Sequence, residues 1–249
     1  MIALITGASS GLGLEVSKIL AQKGYDIIGV SRHEGDFSKL KDTYPNRKFE
    51  FISLDLSSEE GVKSLIDKTK NIDIDYFFDN AGYGMIGHFD DDNIEKEMKM
   101  VDLNVKACHR LLKAFTTKFY KRGKGNILVT ASAAAFAPAP YMTPYYSTKV
   151  YVYYLALGYW RELKERKSKV ILSVLCPGPV ATNFEKAGNV KFNIKPISCQ
   201  KCASYAVKKS LKGKTVIVPS FKIKCLHFFS GEEFLFKEES YKKSFYISI

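Results

Sequence analysis

Tyr145 and Lys149 stand four residues apart in the 249-residue chain, where Tyr145-Tyr146-Ser147-Thr148-Lys149 reads as the start of a helix. At that spacing both side chains reach one helical face. A phenol titrates near pKa 10 in water and carries protons poorly at neutral pH. A nearby ammonium favours the phenolate and lowers that value. The pair therefore predicts acid–base work, with the Tyr145 pKa depressed. Tyr146 is a decoy: its partner four residues on is Val150, and it points about 100° away around the helix. Tyr141, Tyr151, Tyr153 and Tyr154 read as pocket wall or helix packing. Among the tyrosines of this helix, the pairing with Lys149 singles out Tyr145.

A second chemical signal lies at the other end of the chain. Thr6-Gly7-Ala8-Ser9-Ser10-Gly11-Leu12-Gly13 follows the apolar run Met1–Thr6 and opens a helix. Gly7 permits a tight turn, Gly11 lets backbone approach a pyrophosphate, and Gly13 lets helix pack on strand. The helix end favours bound phosphate, and Ser9 and Ser10 can add hydroxyl donors. A Gly/Ser-rich turn that merely starts a helix is the plain alternative.

The glycine spacing is Gly-x-x-x-Gly-x-Gly rather than Gly-x-Gly-x-x-Gly. With Asn80-Ala81-Gly82, Ser132, Tyr145, Lys149 and Pro177-Gly178 following in order, the chain resembles the short-chain dehydrogenase/reductase family over residues 1–220. The resemblance implies a nicotinamide dinucleotide in a groove at the carboxyl ends of the strands, held in part by Gly7, Ser9, Ser10, Gly11, Leu12 and Gly13. In NAD-preferring relatives an acid stands where this chain has Ser31. Ser31 cannot supply that charge, whereas Arg32 can pair with a 2′-phosphate. NADP(H) is thus favoured over NAD(H), although Glu34 could instead hold Arg32 in an ion pair. His33 reads as an exposed loop residue.

The same resemblance places Asp55 and Leu56 around the adenine; Asp55 could equally cap the helix beginning near Ser58. Asn80 can tie neighbouring strands together, and Gly82 removes bulk beside the cofactor. Ser132, thirteen residues before Tyr145, is selected over Thr130 to orient the substrate oxygen. Asn104 matches the residue that helps hold a water connected to the lysine, and Lys149 also bonds the nicotinamide ribose. Pro177, Gly178, Val180 and Thr182 form the corner that positions nicotinamide. Asn183 to Pro196 would be a substrate lid, with Phe184 and Phe192 as apolar contacts and Lys186, Lys191 and Lys195 facing an anion or water. The implied activity is hydride transfer between NADP(H) and a carbonyl or secondary alcohol, with Asn104, Ser132, Tyr145 and Lys149 as the catalytic set. Two other classes compete: a dinucleotide-binding regulatory protein with negligible turnover, and an envelope-associated protein using its tail.

These residues need a scaffold that brings strand ends together. Apolar runs fall at 2–6, 25–31, 48–53, 74–79, 125–131, 169–175 and 214–218. Helical patterns fall at 12–23, 58–70, 92–120, 145–167 and 199–211, with a doubtful one near 35–43. Runs such as Ile27-Ile28-Gly29-Val30 suit strands covered on both faces, and the intervening segments suit right-handed crossovers. The expected fold is α/β, a doubly wound Rossmann-type parallel sheet of about seven strands, order 3-2-1-4-5-6-7, with helices on both faces. Residues 1–220 would form one catalytic domain and 221–249 a short basic, Phe-rich tail. Ala133–Pro144 reads as a loop, because Pro138, Pro140 and Pro144 interrupt regular bonding.

The net charge of +12 is uneven: residues 186–249 hold 13 lysines, no arginine and 4 glutamates. Arginine is the better reader of phosphates and bases, so a generic basic surface is favoured over a specific nucleic-acid site. Five cysteines in no regular framework point to a reducing, cytoplasmic setting. Cys199-x-x-Cys202 lacks a second ligand pair for zinc, and His88, His109 and His227 lack ligand partners at suitable spacing, so no metal is expected. The Met1–Thr6 strand leaves no room for a targeting segment, and the Val150–Trp160 run is too short to span a bilayer. Phe228, Phe229, Phe234 and Phe236 must dock on the body or on a partner; peripheral membrane contact is the less favoured alternative. A small-molecule substrate and a homodimer or homotetramer are expected.

Overall fold

The structure, a computed structural model, describes residues 1–91, 93–181, 196–221, 223 and 224. Its centre is a seven-stranded parallel sheet. The strands are β1 (Ile2–Thr6), β2 (Asp26–Ser31), β3 (Phe49–Ser53), β4 (Tyr76–Asp79), β5 (Asn126–Thr130), β6 (Ile171–Leu175) and β9 (Val216–Ile217), in the order β3-β2-β1-β4-β5-β6-β9. The expected order holds, with β9 in seventh place. Two intervening strands, β7 (Val180–Ala181) and β8 (Ile197–Ser198), pair with each other in a separate two-stranded sheet.

Alternate residues of each strand face opposite sides, and both sides are apolar. Leu4, Phe77, Ile127, Val129, Leu172 and Val174 join one core, under α3 (Glu59–Thr69), α5 (Cys108–Arg122) and α6 (Thr143–Glu165). Ala3, Ile5, Tyr76, Phe78, Leu128 and Leu175 join the other, under α1 (Gly11–Gln22) and α7 (Cys199–Ser210). Between β2 and β3 a 3₁₀ turn at Gly35–Lys39 and the four-residue α2 (Leu40–Thr43) replace the doubtful helix near 35–43. Phe77 is fully buried and stacks on Phe115 of α5 with ring centroids 4.1 Å apart. Lys118 of α5 reaches the end of α3, donating to the carbonyls of Thr69, Lys70 and Ile72 at 2.6, 3.0 and 2.7 Å. It thereby adds a charged donor to carbonyls at and just beyond the helix C-terminus, where acceptors are in excess.

Two expectations need correction. The helix read over 92–120 is not continuous: α4 (Ile94–Val101) passes into a π-helical stretch at Asp102–Ala107 before α5 begins. A π turn keeps a near-helical hydrophobic rhythm, so periodicity alone does not reveal it. Ala133–Pro144 is not all loop either. Ala133–Ala135 forms a 3₁₀ turn, and Pro144 lies in the first turn of α6, where its missing N–H would have had no acceptor.

The start of the tail packs on the body. Ile223 is buried in the same core as Val218, and the Lys224 ammonium donates to the Tyr205 hydroxyl at 3.1 Å. Phe228, Phe229, Phe234 and Phe236 lie outside the described residues.

Candidate active site

The parallel register places the carboxyl ends of β1, β4, β5 and β6 at one level: Ile5 pairs with Phe78, Asp79 with Val129, and Thr130 with Leu175. Each strand continues into a loop from that edge, so polar groups converge there.

Beyond β1, Gly7 adopts φ +68°. A side chain at Gly13 would put its Cβ 2.1 Å from the Gly7 carbonyl oxygen, so α1 packs on the turn only because that position is glycine. The N-cap Ser10 makes no side-chain cap bond, and no acid occupies the first turn of α1. By contrast, α3 is capped by Ser58 and α7 by Ser198. The first-turn amides of α1 thus keep their donors and their positive field for an anion. This cradle fits a dinucleotide phosphate.

Ser9 and Ser31 are engaged with each other. The Ser9 amide donates to Ser31 Oγ at 3.2 Å, and that hydroxyl donates to the Val30 carbonyl at 2.8 Å. The Asp36 amide donates to the Ser9 carbonyl at 3.1 Å, folding the loop after β2 back against the glycine turn. Arg32 is exposed on this loop, and Ser53 Oγ donates to its carbonyl at 3.0 Å. Among the described residues, Glu34 makes no ion pair with Arg32.

Asp55 does not cap α3; Ser58 does, its Oγ accepting from the Gly61 amide at 3.0 Å. Asp55 Oδ1 instead accepts from the Ser57 amide and hydroxyl, at 2.9 and 2.7 Å. The Ser57 hydroxyl holds the Asp55 carboxyl below its usual range against the opposing effect of burial, helped by the Ser57 amide, Arg32 and Lys99. Leu56 is buried beside it.

Asn80 joins three strands. Its amide N–H donates to Thr6 Oγ1 at 2.8 Å, its Nδ2 to the Thr6 carbonyl at 3.3 Å, and its Oδ1 accepts from Thr130 Oγ1 at 3.2 Å. Thr6 also accepts from the Ala81 amide at 2.9 Å and donates to Asp79 Oδ1 at 3.0 Å. A Cβ at Gly82 would lie 2.8 Å from Asn104 Oδ1 and 3.5 Å from Lys149 Nζ. Gly82 therefore makes room for those two groups to come together.

Asn104 is buried in the π turn. Its side chain bonds the Tyr83 backbone twice and donates to Thr148 Oγ1 at 3.2 Å. Lys149 is also buried, its ammonium donating to the Thr130 carbonyl at 3.1 Å and standing 5.9 Å from the Tyr145 ring centroid. Burial pushes its pKa down, opposed by Cys108, Asp79 and Cys176.

Tyr145 is hydrogen-bonded to Ser132, whose Oγ also accepts from the Ala134 amide at 3.1 Å. Thr130, the rival of Ser132, is committed to Asn80 and Lys149. Burial pushes the Tyr145 phenol up to about 12, assisted by Tyr146 and opposed by the Ser132 bond. The expectation of a depressed phenol is thus reversed in the protein's own field, because desolvation of the phenolate outweighs the Ser132 hydrogen bond. Tyr146 meets Tyr145 edge to face at 6.1 Å and is only half-buried.

The corner after β6 is held by the Pro177 carbonyl, which accepts from the Ala133 amide at 2.8 Å, and by the Val180–Ile197 pairing. Gly178 lies against Ile223. Thr182 and the lid positions Phe184, Lys186, Lys191, Phe192 and Lys195 lie outside the described residues.

Thr6, Tyr83, Thr130 and Thr148 were not singled out from the sequence, although each fixes a residue that was. Only Thr6 carried a signal, as a polar residue ending an apolar strand. Burial pushes the Cys199 and Cys202 thiols up to about 11 and about 12, so both carry their protons at neutral pH. Among the described residues no cluster of three or more His, Cys, Asp or Glu could hold a metal, and no helix is long and apolar enough to cross a membrane.

Residues 1–191 match the family model for short chain dehydrogenases. An uncharacterized oxidoreductase of Staphylococcus epidermidis is 29% identical over 185 residues, covering 73% of this chain and 78% of that protein. A short-chain dehydrogenase from Sphingobium yanoikuyae in complex with NADPH superposes with a TM-score of 0.84 at 22% identity, over 96% of this chain and 97% of the other. A short chain dehydrogenase/reductase from Burkholderia phymatum in complex with NAD gives a TM-score of 0.82 at 20% identity, over 100% and 98%. The match over residues 1–191 takes in the glycine turn, the strand-end asparagine and the tyrosine–lysine pair alike, and the chain belongs to the short chain dehydrogenase family.

Proposed function

We propose that the protein is an NADP(H)-dependent oxidoreductase that interconverts a carbonyl and a secondary alcohol. The observation that carries this reading is the Ser132–Tyr145 hydrogen bond, set beside buried Lys149 at the strand edge where the α1 cradle also opens. The family and its NADPH- and NAD-bound neighbours support a nicotinamide dinucleotide.

The bound dinucleotide would supply the hydride and, when oxidised, a positive ring. The α1 first turn would hold its phosphates, and Arg32 a 2′-phosphate. Pro177, Gly178, Val180 and Thr182 would seat the nicotinamide end, and Asp55 and Leu56 the adenine. In the reductive direction Ser132 Oγ orients the substrate oxygen and Tyr145 Oη gives it a proton. A phenol held near 12 carries that proton at neutral pH, the form that reduction uses. Lys149 then steadies the phenolate, and Asn104, beside it across Gly82, supports the proton's return.

The test is consumption of NADPH and of NADH by the purified protein against a panel of ketones and aldehydes. Carbonyl-dependent loss of NADPH absorbance is expected, with slower loss of NADH. No turnover of any carbonyl, with intact dinucleotide binding, would overturn the enzymatic reading.

A further inference from the structure

Directly before the strand-tying Asn80, β4 ends on an acid whose role the reaction above leaves open. Asp79 is 4% exposed and follows three fully buried aromatics, Tyr76, Phe77 and Phe78. A carboxylate in such a place is retained only if something compensates its desolvation. Thr6 Oγ1 donates to Oδ1 at 3.0 Å, but among the described residues Oδ2 finds no strong donor. The Cys108 thiol beside it, at the start of α5, is a weak one. Two hydrogen bonds from the hydroxyl and a thiol do not balance a full buried charge.

The balancing cation is in the same layer. Asp79 pairs across the sheet with Val129, and the next residue of β5, Thr130, offers the carbonyl that holds Lys149 Nζ at 3.1 Å. The groups that act on Lys149 are Cys108 from α5, Asp79 from β4 and Cys176 from beyond β6; Asp79 is the carboxylate among them. The groups that act on Asp79 are Cys108, Thr6 and Lys149, and Lys149 is the cation among them. Cys108, its thiol raised well above the usual range by burial and then by Asp79, stays neutral. The two are not in direct contact, since no ion pair joins them among the described residues; Lys149 is the cation that acts on Asp79 and Asp79 the carboxylate that acts on Lys149 across this layer.

We propose that Asp79 is a positioning residue for the reaction proposed above: its buried carboxylate is the counter-charge that keeps Lys149 an ammonium. Lys149 can favour the Tyr145 phenolate only while charged, and its own burial works against that. Burial also pushes the Asp79 carboxyl up to about 6, opposed by Cys108, Thr6 and Lys149, so the carboxylate is present from neutral pH upward. The inference rests on the oxidoreductase reading for its catalytic meaning, but the charge pair itself does not.

Two measurements separate these. Urea unfolding midpoints of the intact chain, Asp79→Asn, Lys149→Met and the double variant are compared at about pH 8 and about pH 4.5. Asn keeps an oxygen for Thr6, so the fold survives the change. At the higher pH the double variant should lose less than the two single losses together; at the lower pH, with Asp79 protonated, the losses should simply add. Additivity at both values overturns the pair. Second, the pH profile of NADPH-dependent carbonyl reduction is recorded. Asp79→Asn should move its alkaline limb about one unit lower, and the same change in a Lys149→Arg background, where the cation is fixed, should not move it. An unmoved limb in Asp79→Asn overturns the positioning role. A wild type inactive on every carbonyl would instead sink the oxidoreductase reading, with the unfolding cycle still deciding the charge pair.

Discussion

Asn104 holds the backbone of Tyr83 at both of its polar groups, accepting from the Tyr83 amide at 3.1 Å and donating to the Tyr83 carbonyl at 2.8 Å. A residue of the helix between β4 and β5 thus fixes the loop that leaves β4. Asn104→Ala would strand two backbone groups and should cost about 1–3 kcal/mol in chemical denaturation, with a clear drop in turnover. Asn104→Asp keeps the acceptor but sets a carboxylate against the Tyr83 carbonyl. It should be the less stable of the two at neutral pH and recover on acidification, when the acid regains a donor.

Tyr145→Phe removes the hydroxyl while keeping most of the ring's packing. Turnover should fall by about 10²–10⁴-fold with NADPH binding largely preserved. Tyr146→Phe, on the neighbouring half-buried position, should be mild. Steady-state rates with one carbonyl substrate, and dinucleotide binding by fluorescence, decide between the two tyrosines.

Because burial raises the Tyr145 phenol to about 12, the protonated form dominates through neutral pH. Carbonyl reduction should stay flat across that range and decline only on the alkaline side. Alcohol oxidation, which needs the phenolate, should climb as pH rises. Paired pH–rate profiles of the two directions with one substrate couple test this.

Arg32→Ala should weaken NADPH binding by roughly ten- to a hundredfold, the loss of a charge-assisted contact, and leave NADH almost unchanged. Titration of both dinucleotides at matched ionic strength gives the answer. Equal losses for the two would remove Arg32 from the 2′-phosphate.

Away from the site, Lys118→Met would remove one donor from three carbonyls at and beyond the end of α3, of which those of Thr69 and Ile72 keep a backbone partner. About 1–2 kcal/mol of stability should be lost, seen in the unfolding midpoint, with dinucleotide affinity unchanged.

Much of this was legible in the residues. Runs such as Ala3-Leu4-Ile5 state that both faces of a strand are covered, and glycines at fixed offsets state where backbone must come close. Spacing alone paired Tyr145 with Lys149, whereas Ser132 and Asn104 were reached through the family resemblance. Other features have no sequence rhythm. Strands β7 and β8 are two residues each, too short for a period, and the π turn imitates the helix around it. The lift of the Tyr145 phenol depends on how completely tertiary packing excludes water from it. Spacing shows that Lys149 can reach the tyrosine, not how much solvent remains. Asp79 was hidden for a related reason: at the end of an apolar strand an acid reads as a surface cap until the sheet is closed over it.

The π turn at Asp102–Ala107 also sets a rule about chain length. It accommodates about one residue more than an α turn of the same rise. Removing a single residue there would let α4 run straight into α5, but everything on one side would rotate by about 100° relative to the other. Either Asn104 would leave Tyr83 or the Phe115 face would leave the sheet. Substitutions in this stretch can be graded by chemistry, whereas a one-residue deletion is all-or-none.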